Sequence, residues 1–261
     1  METEYQNNPV SFKFRTVLNL LSISHKYQFD SCEQWAAHLL SKHFTALSAE
    51  DGTNLFLDDE ALFKNSELEA ILRLFVRVER PKLREAVERS YMRRFKSNSP
   101  PSIPRSLALA EELGLRSLQG LIYYHLVTSR GPFQHPFSTA YALPSNDLTD
   151  KHARNFYRGS YSLSLYWIDR PKVWQTTELP RSLVHCKHEN HARCETEWRA
   201  LWLTRSLQQK LVGLPVTSGP LEKLGVLLAC HRSYHQSCIR EMLTSLIAEL
   251  RKTLPDHFLG K

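Results

Sequence analysis

Apolar residues recur along this chain at three- and four-residue intervals with almost no strict alternation, a pattern that favours helices over strands. From Ser11 onward, Phe14, Val17, Leu18 and Leu21 mark a first helix that weakens over the polar-rich Ser22-Ile23-Ser24-His25. Asp30 and Ser31 are capping types, and behind them Trp35, Leu39 and Leu40 share one face of a second helix that fades near Phe44. The following polar stretch, with Glu50-Asp51-Gly52 and Asp58-Asp59-Glu60, predicts a loop carrying a short turn of helix. Leu68, Ile71, Leu72, Phe75 and Val76 predict a third helix ending before Pro81. Pro81 suits a first helical position and so begins a fourth, reaching Lys96. Pro100-Pro101 cannot be helical and breaks the chain there.

A clear helix follows from Ile103 to Leu113. It ends at Gly114, the residue type that most easily takes the left-handed conformation past a helix end. A helix over Leu115 to Thr128 is its expected antiparallel partner, and Gly131 to Ser145 reads as loop. Ser145 or Asn146 is the expected cap of a helix to about Leu165 with Leu148, His152, Phe156 and Gly159 on one side. The glycine there predicts close approach of another helix. Pro171 and Pro180 predict an irregular stretch from Trp167 to Glu189. Ala192 to Leu211 reads as a strong helix bearing Trp198, Leu201, Trp202 and Arg205. Pro220 to Cys230 reads as a short one, and Ser237 to Leu254 as the last, stopped by Pro255. The expected fold is therefore all-α: an irregular multi-helix bundle in two sub-bundles, 11–130 and 131–261, with few or no strands.

Composition narrows the class. With 261 residues and 42% apolar content the chain is long enough to bury a core, so a wholly disordered chain is excluded. The longest apolar run, ending at Cys230, falls far short of the ~18 residues of a membrane span. The N-terminus lacks the basic and apolar regions of a secretory signal, and five Cys is a sparse, odd number. Both predict reduced thiols in the cytoplasm or nucleus. A formal charge of +7 is mild. The nine Lys and Arg between Arg73 and Lys96 face three Glu in alternation, which predicts a solvated helix face rather than a nucleic-acid surface.

The most chemical stretch holds four of the five Cys and five of the twelve His: His185, Cys186, His188, His191 and Cys194, then Cys230, His231, His235 and Cys238. Thiolates and imidazoles suit tetrahedral zinc, which makes Cys186, Cys194, Cys230 and Cys238 candidate metal ligands. Each pair spans more than ~10 Å along a continuous helix, so sharing a metal requires the chain between to fold back. No two-residue Cys spacing supports a zinc knuckle, and scattered buried thiols with solvated histidines are the expected alternative. Most aromatics fall at helical spacing and are expected in the core. Trp167 and Trp174, in the irregular stretch, are the expected exposed aromatics and candidate partner-binding residues. No phosphate-binding glycine loop, Gly-x-Ser-x-Gly or His-Glu-x-x-His string occurs, and no enzymatic activity is expected.

Four collinear stretches carry a resemblance. They are Val17 to Ser31 with Lys26-Tyr27, Phe29 and then Trp35-Ala36; Leu107 to Leu115 leading into Tyr123-Tyr124-His125-Leu126; Asn146-Asp147-Leu148 with Gly159-Ser160-Tyr161; and Cys194, Trp198, Pro220-Leu221, Leu228-Ala229-Cys230 and Leu254 to Phe258. Together they resemble the region after the BTB core in BTB/POZ-domain-containing proteins of mushroom-type fungi. The resemblance implies a BACK-like helical region over 11–130, an adaptor-like role and other proteins as partners. That family places a BTB core of about a hundred residues ahead of the segment corresponding to Tyr27-Gln28-Phe29. Here that dimerising part is expected to be absent, which puts dimerisation in question. Two alternatives follow: a zinc-stabilised nucleic-acid-binding module, and a truncated product without independent function.

Overall fold

A computed structural model describes residues 14–46, 64–95, 100–130, 148–180, 191–203, 211, 218–230 and 237–260. Among these the fold is all-α, ten helices with no strand. They are α1 (Phe14–Tyr27), α2 (Asp30–Ala46), α3 (Asn65–Arg77), α4 (Pro81–Arg94), α5 (Ile103–Glu112), α6 (Arg116–Arg130), α7 (Asp150–Thr176), α8 (His191–Leu201), α9 (Pro220–Cys230) and α10 (Ser237–Leu259). None is long and apolar enough to cross a membrane.

The chain divides into two compact units at Gly114/Leu115. α6, which the sequence reading groups with the first sub-bundle, therefore belongs to the second. The reason is its partners: α6 packs on α7 and α10.

In the first unit, α1 packs on α2, α2 on α4, and α3 on α4. Phe14, Val17 and Leu21 fill the inner face of α1, and Leu68, Leu72 and Phe75 that of α3, each set at the helical repeat that turns one stripe inward. Polar pins hold α5. Arg105 donates to the buried Glu69 carboxylate at 2.8 and 3.2 Å, Arg73 forks onto Glu112 at 2.9 and 3.0 Å, and the Tyr91 hydroxyl lies 2.8 Å from Ser106 Oγ. Three helix ends share one stop. Gln28, Glu79 and Gly114 have φ of 59°, 51° and 64°, and each amide bonds back to a carbonyl of the last turn. Only the third is glycine. Trp35, expected in the core, is half-buried.

In the second unit α10 is the spine. Ile239, Leu243, Leu246, Leu250, Leu254 and Phe258 run down its buried side, and α6, α7, α8 and α9 pack around it. The approach of α7 is as close as Gly159 predicts: a Cβ there would sit inside the Phe258 ring. Gly120 does the same for α6, where a Cβ would come within 2.9 Å of Pro255 Cα. Arg158 donates to the Phe258 carbonyl and Arg116 to that of Gly260 at 2.7 Å, so two guanidinium groups satisfy the exposed carbonyl end of α10.

Three expectations need correction. α7 is capped by Thr149, whose Oγ1 accepts the His152 amide, rather than by Ser145 or Asn146. It also continues through Pro171 to Thr176, where an irregular stretch was expected, and α10 continues through Pro255 to Leu259. An interior proline costs a helix ~3 kcal/mol. In both places a large buried ring lies beyond it, Trp174 after Pro171 and Phe258 after Pro255, and its packing offsets that cost.

Candidate interaction surface

α7 is 27 residues long and apolar on two opposite sides. Phe156, Gly159 and Leu163 face inward. On the outer side Tyr157, Tyr161, Leu165 and Ile168 are 53%, 68%, 41% and 59% exposed. At ~100° per residue these four fall within ~80° of arc, centred opposite the buried face. Ser160 and Ser164 border the stripe, but their hydroxyls donate to the carbonyls of Phe156 and Ser160 at 2.8 and 2.9 Å. Their polar atoms are turned onto the helix, so that border presents carbon. The other border is charged: Arg158 and Asp169 are exposed there, and the exposed Arg154 and Lys172 close the two ends of the stripe. A helix that buries one apolar face ordinarily turns a polar one to water. This outer face does not, and a contiguous exposed patch of aromatic and aliphatic side chains with a charged rim has the make-up of a protein contact.

The first unit carries a smaller patch. Ile23, Tyr27 and Phe29 are each more than half exposed around the α1–α2 corner. The left-handed Gln28 sets the Tyr27 and Phe29 rings in a stacked pair 6.2 Å apart, with Lys26 Nζ 5.1 Å above Tyr27. The corner is braced by Glu33, which accepts from Arg80 at 2.7 Å and meets His25 Nδ1 at 3.2 Å. Burial pushes the Glu33 carboxyl up, yet the hydrogen bonds from Arg80 and His25 outweigh it and hold the group below its ordinary range.

The residues singled out from sequence are placed differently. Trp174 is not exposed: it is 4% accessible, its ring packs against Trp202 at 4.7 Å, and its carbonyl accepts the Trp198 indole N–H at 2.9 Å. The correction follows from α7 continuing past Pro171, which turns Trp174 onto the Phe156 side of the helix. Trp167 is half-buried, with Lys223 Nζ 4.9 Å above its ring. Burial lowers the Lys223 ammonium from its ordinary range. Of the candidate metal ligands, Cys194 and Cys238 are buried and Cys230 is exposed, while Cys186 lies outside the described residues, as do His185, His188, His231 and His235. Cys238 Sγ is 3.8 Å from His191 Nδ1. Among the described residues no three His, Cys, Asp or Glu are grouped to hold a metal.

In the basic run three of the nine side chains face acids within the first unit: Arg73 on Glu112, Arg80 on Glu33, and Arg84 3.5 Å from the buried Glu88. Two hydroxyl–imidazole pairs are close, Ser162 Oγ to His257 Nδ1 at 2.7 Å and Tyr123 to His152 Nδ1 at 2.6 Å. Each joins two helices, α7 to α10 and α6 to α7, and each is packed by an aromatic ring, Tyr166 on His257 and Phe258 on Tyr123. They act as pins between helices. Tyr124 pins α9 similarly: its hydroxyl donates to Glu222 and accepts the Leu221 amide at 2.9 Å. Burial, reinforced by the Glu222 charge, raises this phenol far above its ordinary range and keeps it a neutral donor.

No family model, curated protein or solved structure matches this chain. Among the described residues, the outer face of α7 and the α1–α2 corner are the exposed apolar surfaces suited to a contact.

Proposed function

We propose that this chain is a non-catalytic protein-interaction module of adaptor type, acting in the cytoplasm or nucleus, that engages protein partners through the outer face of α7. The observation that carries the proposal is the stripe Tyr157, Tyr161, Leu165 and Ile168, apolar and exposed on a helix whose opposite side already fills the core. Tyrosine beside aliphatic side chains, rimmed by arginine, is the composition enriched at protein contacts. The collinear resemblance to the region following the BTB core supports the same role, and the Tyr27–Phe29 corner offers the first unit a contact of its own.

The test is a photo-crosslinking residue introduced in living cells at position 161 or 168, with position 251, exposed on α10, as control. Protein adducts are expected from 161 and 168 well above those from 251. Equal background yields at all three positions would overturn the proposal.

A further inference from the structure

We infer that the occupant of the α7 outer face is a helical segment of a partner protein, apolar along one stripe and acidic at both ends of that stripe. This rests on the reading of that face as an interaction surface. Arg154, Arg158, Tyr161, Leu165, Ile168 and Lys172 are all exposed and follow one another at intervals of four, three, four, three and four residues. That is the two-in-seven repeat by which one helix lies along another, and the exposed Tyr157 flanks it. The seam is ~80° wide, narrower than the broad apolar face with which a helix floats on a bilayer. Its middle is tyrosine, leucine and isoleucine, and a cation stands at each end.

Charge selects the partner. Arg154 and Lys172 are 18 residues apart, five turns of helix, so they lie on one line ~27 Å apart with the apolar side chains between them. Among the described residues neither forms an ion pair, although Asp150 and Asp169 lie within one turn of them. The Arg158 guanidinium is already held by the Phe258 carbonyl and Asn155 Oδ1, so it lends the seam its stem rather than its charge. Carboxylates set about 18 residues apart on an apolar helix would meet both end cations at once. A second copy of this chain would instead bring cations to cations. A nucleic-acid strand, with a charge every ~3.4 Å, would lay phosphates over the apolar middle. Exposed ion pairs contribute little each, so they choose the partner and its register while the apolar middle holds it.

Fluorescence anisotropy on the purified full chain tests this with two labelled helix-forming peptides of about 21 residues. Both carry leucine along one stripe; at the two ends of the stripe one has Glu and the other Lys. In about 20 mM salt the Glu peptide is expected to bind with a Kd of about 10 to 100 μM, at least about tenfold more tightly than the Lys peptide. The preference should shrink as salt approaches about 300 mM. Arg154→Glu combined with Lys172→Glu should reverse it, which also shows that the variant is folded. Arg251→Glu with Lys252→Glu makes the same change of net charge at exposed sites on α10 and should leave the preference in place. No binding of the Glu peptide, equal affinity for both peptides, or reversal by the α10 pair as well overturns the inference. Capture by phosphatidylserine vesicles that the Glu peptide does not displace would make a lipid surface the occupant and overturns it too. So does sedimentation of the free chain at twice 30.3 kDa, if Tyr161→Asp abolishes it, since the occupant is then a second copy. Adducts from positions 161 and 168 in cells without a Glu-peptide preference overturn the acidic partner alone. Background adducts at both positions overturn the interaction surface itself.

Discussion

At the scale of single residues, the second unit is organised by contacts that tolerate no extra atom. Gly159 gives up about 1 kcal/mol of helix propensity relative to alanine. It keeps that place because the Phe258 ring occupies the space of a Cβ. Gly159→Ala should therefore destabilise the protein by about 3 kcal/mol in urea denaturation, and Phe258→Leu added to it should recover part of the loss. This glycine was legible in the sequence, because a helical glycine beside Phe156 and His152 needs a reason. Trp174 was not legible as a core residue, since Pro171 just before it reads as a stop. His257 makes a second prediction. Burial lowers its imidazole pKa from 6.5, Asp256 opposes this, and the Arg170 guanidinium adds to it; Ser162 and Tyr166 complete its surroundings. A lowered folded-state pKa means that the unfolded chain takes up the proton first. Stability is then full above pH 6.5 and falls as pH drops below it toward the folded value. Melting temperature followed from pH 7.5 to 5 should show this decline, and His257→Gln should flatten it.

At the scale of elements, most helix starts follow the sequence pattern, α7 excepted, whereas the prolines inside α7 and α10 and some helix ends depart from it. Pro81 and Pro220 open α4 and α9 as their fixed φ suits. Two other ends, at Gln28 and Glu79, use a residue with no glycine signature in the left-handed conformation, so the motif is invisible in composition. Such a conformation costs an ordinary residue ~1 kcal/mol. Gln28→Gly should stabilise the first unit by up to about that amount while leaving its helical content unchanged, as denaturation followed by circular dichroism would report. The continuation of α7 through Pro171 is the reason its outer surface does not show in a helix read only to Leu165. With α7 read as ending at Leu165, only its inward residues formed a recognisable face, and Ile168 fell outside it. Extended to Thr176, Tyr157, Tyr161, Leu165 and Ile168 become a second stripe at helical spacing. Two apolar stripes on opposite sides of one long helix are the signal that the sequence did contain.

At the scale of the molecule, the all-α class follows from period alone, but the grouping of helices into units does not. α6 joins the second unit because α7 and α10 complement it, through Gly120 against Pro255 and Tyr123 stacked on Phe258 at 5.3 Å. Among the residues behind the formal charge of +7, Arg73, Arg80 and Arg84 face acids within the first unit, while Arg154, Arg158 and Lys172 stand exposed around the apolar face of α7. On the proposed role, this face is open in the isolated protein and covered when the protein works. Side-chain radical footprinting, read by mass spectrometry at each tyrosine, compares dilute purified protein with the same protein in living cells. Tyr157 and Tyr161 should label readily in the dilute sample and severalfold less in cells, with buried Tyr91 and Tyr123 protected in both. Equal labelling of Tyr157 and Tyr161 in the two settings would contradict the claim.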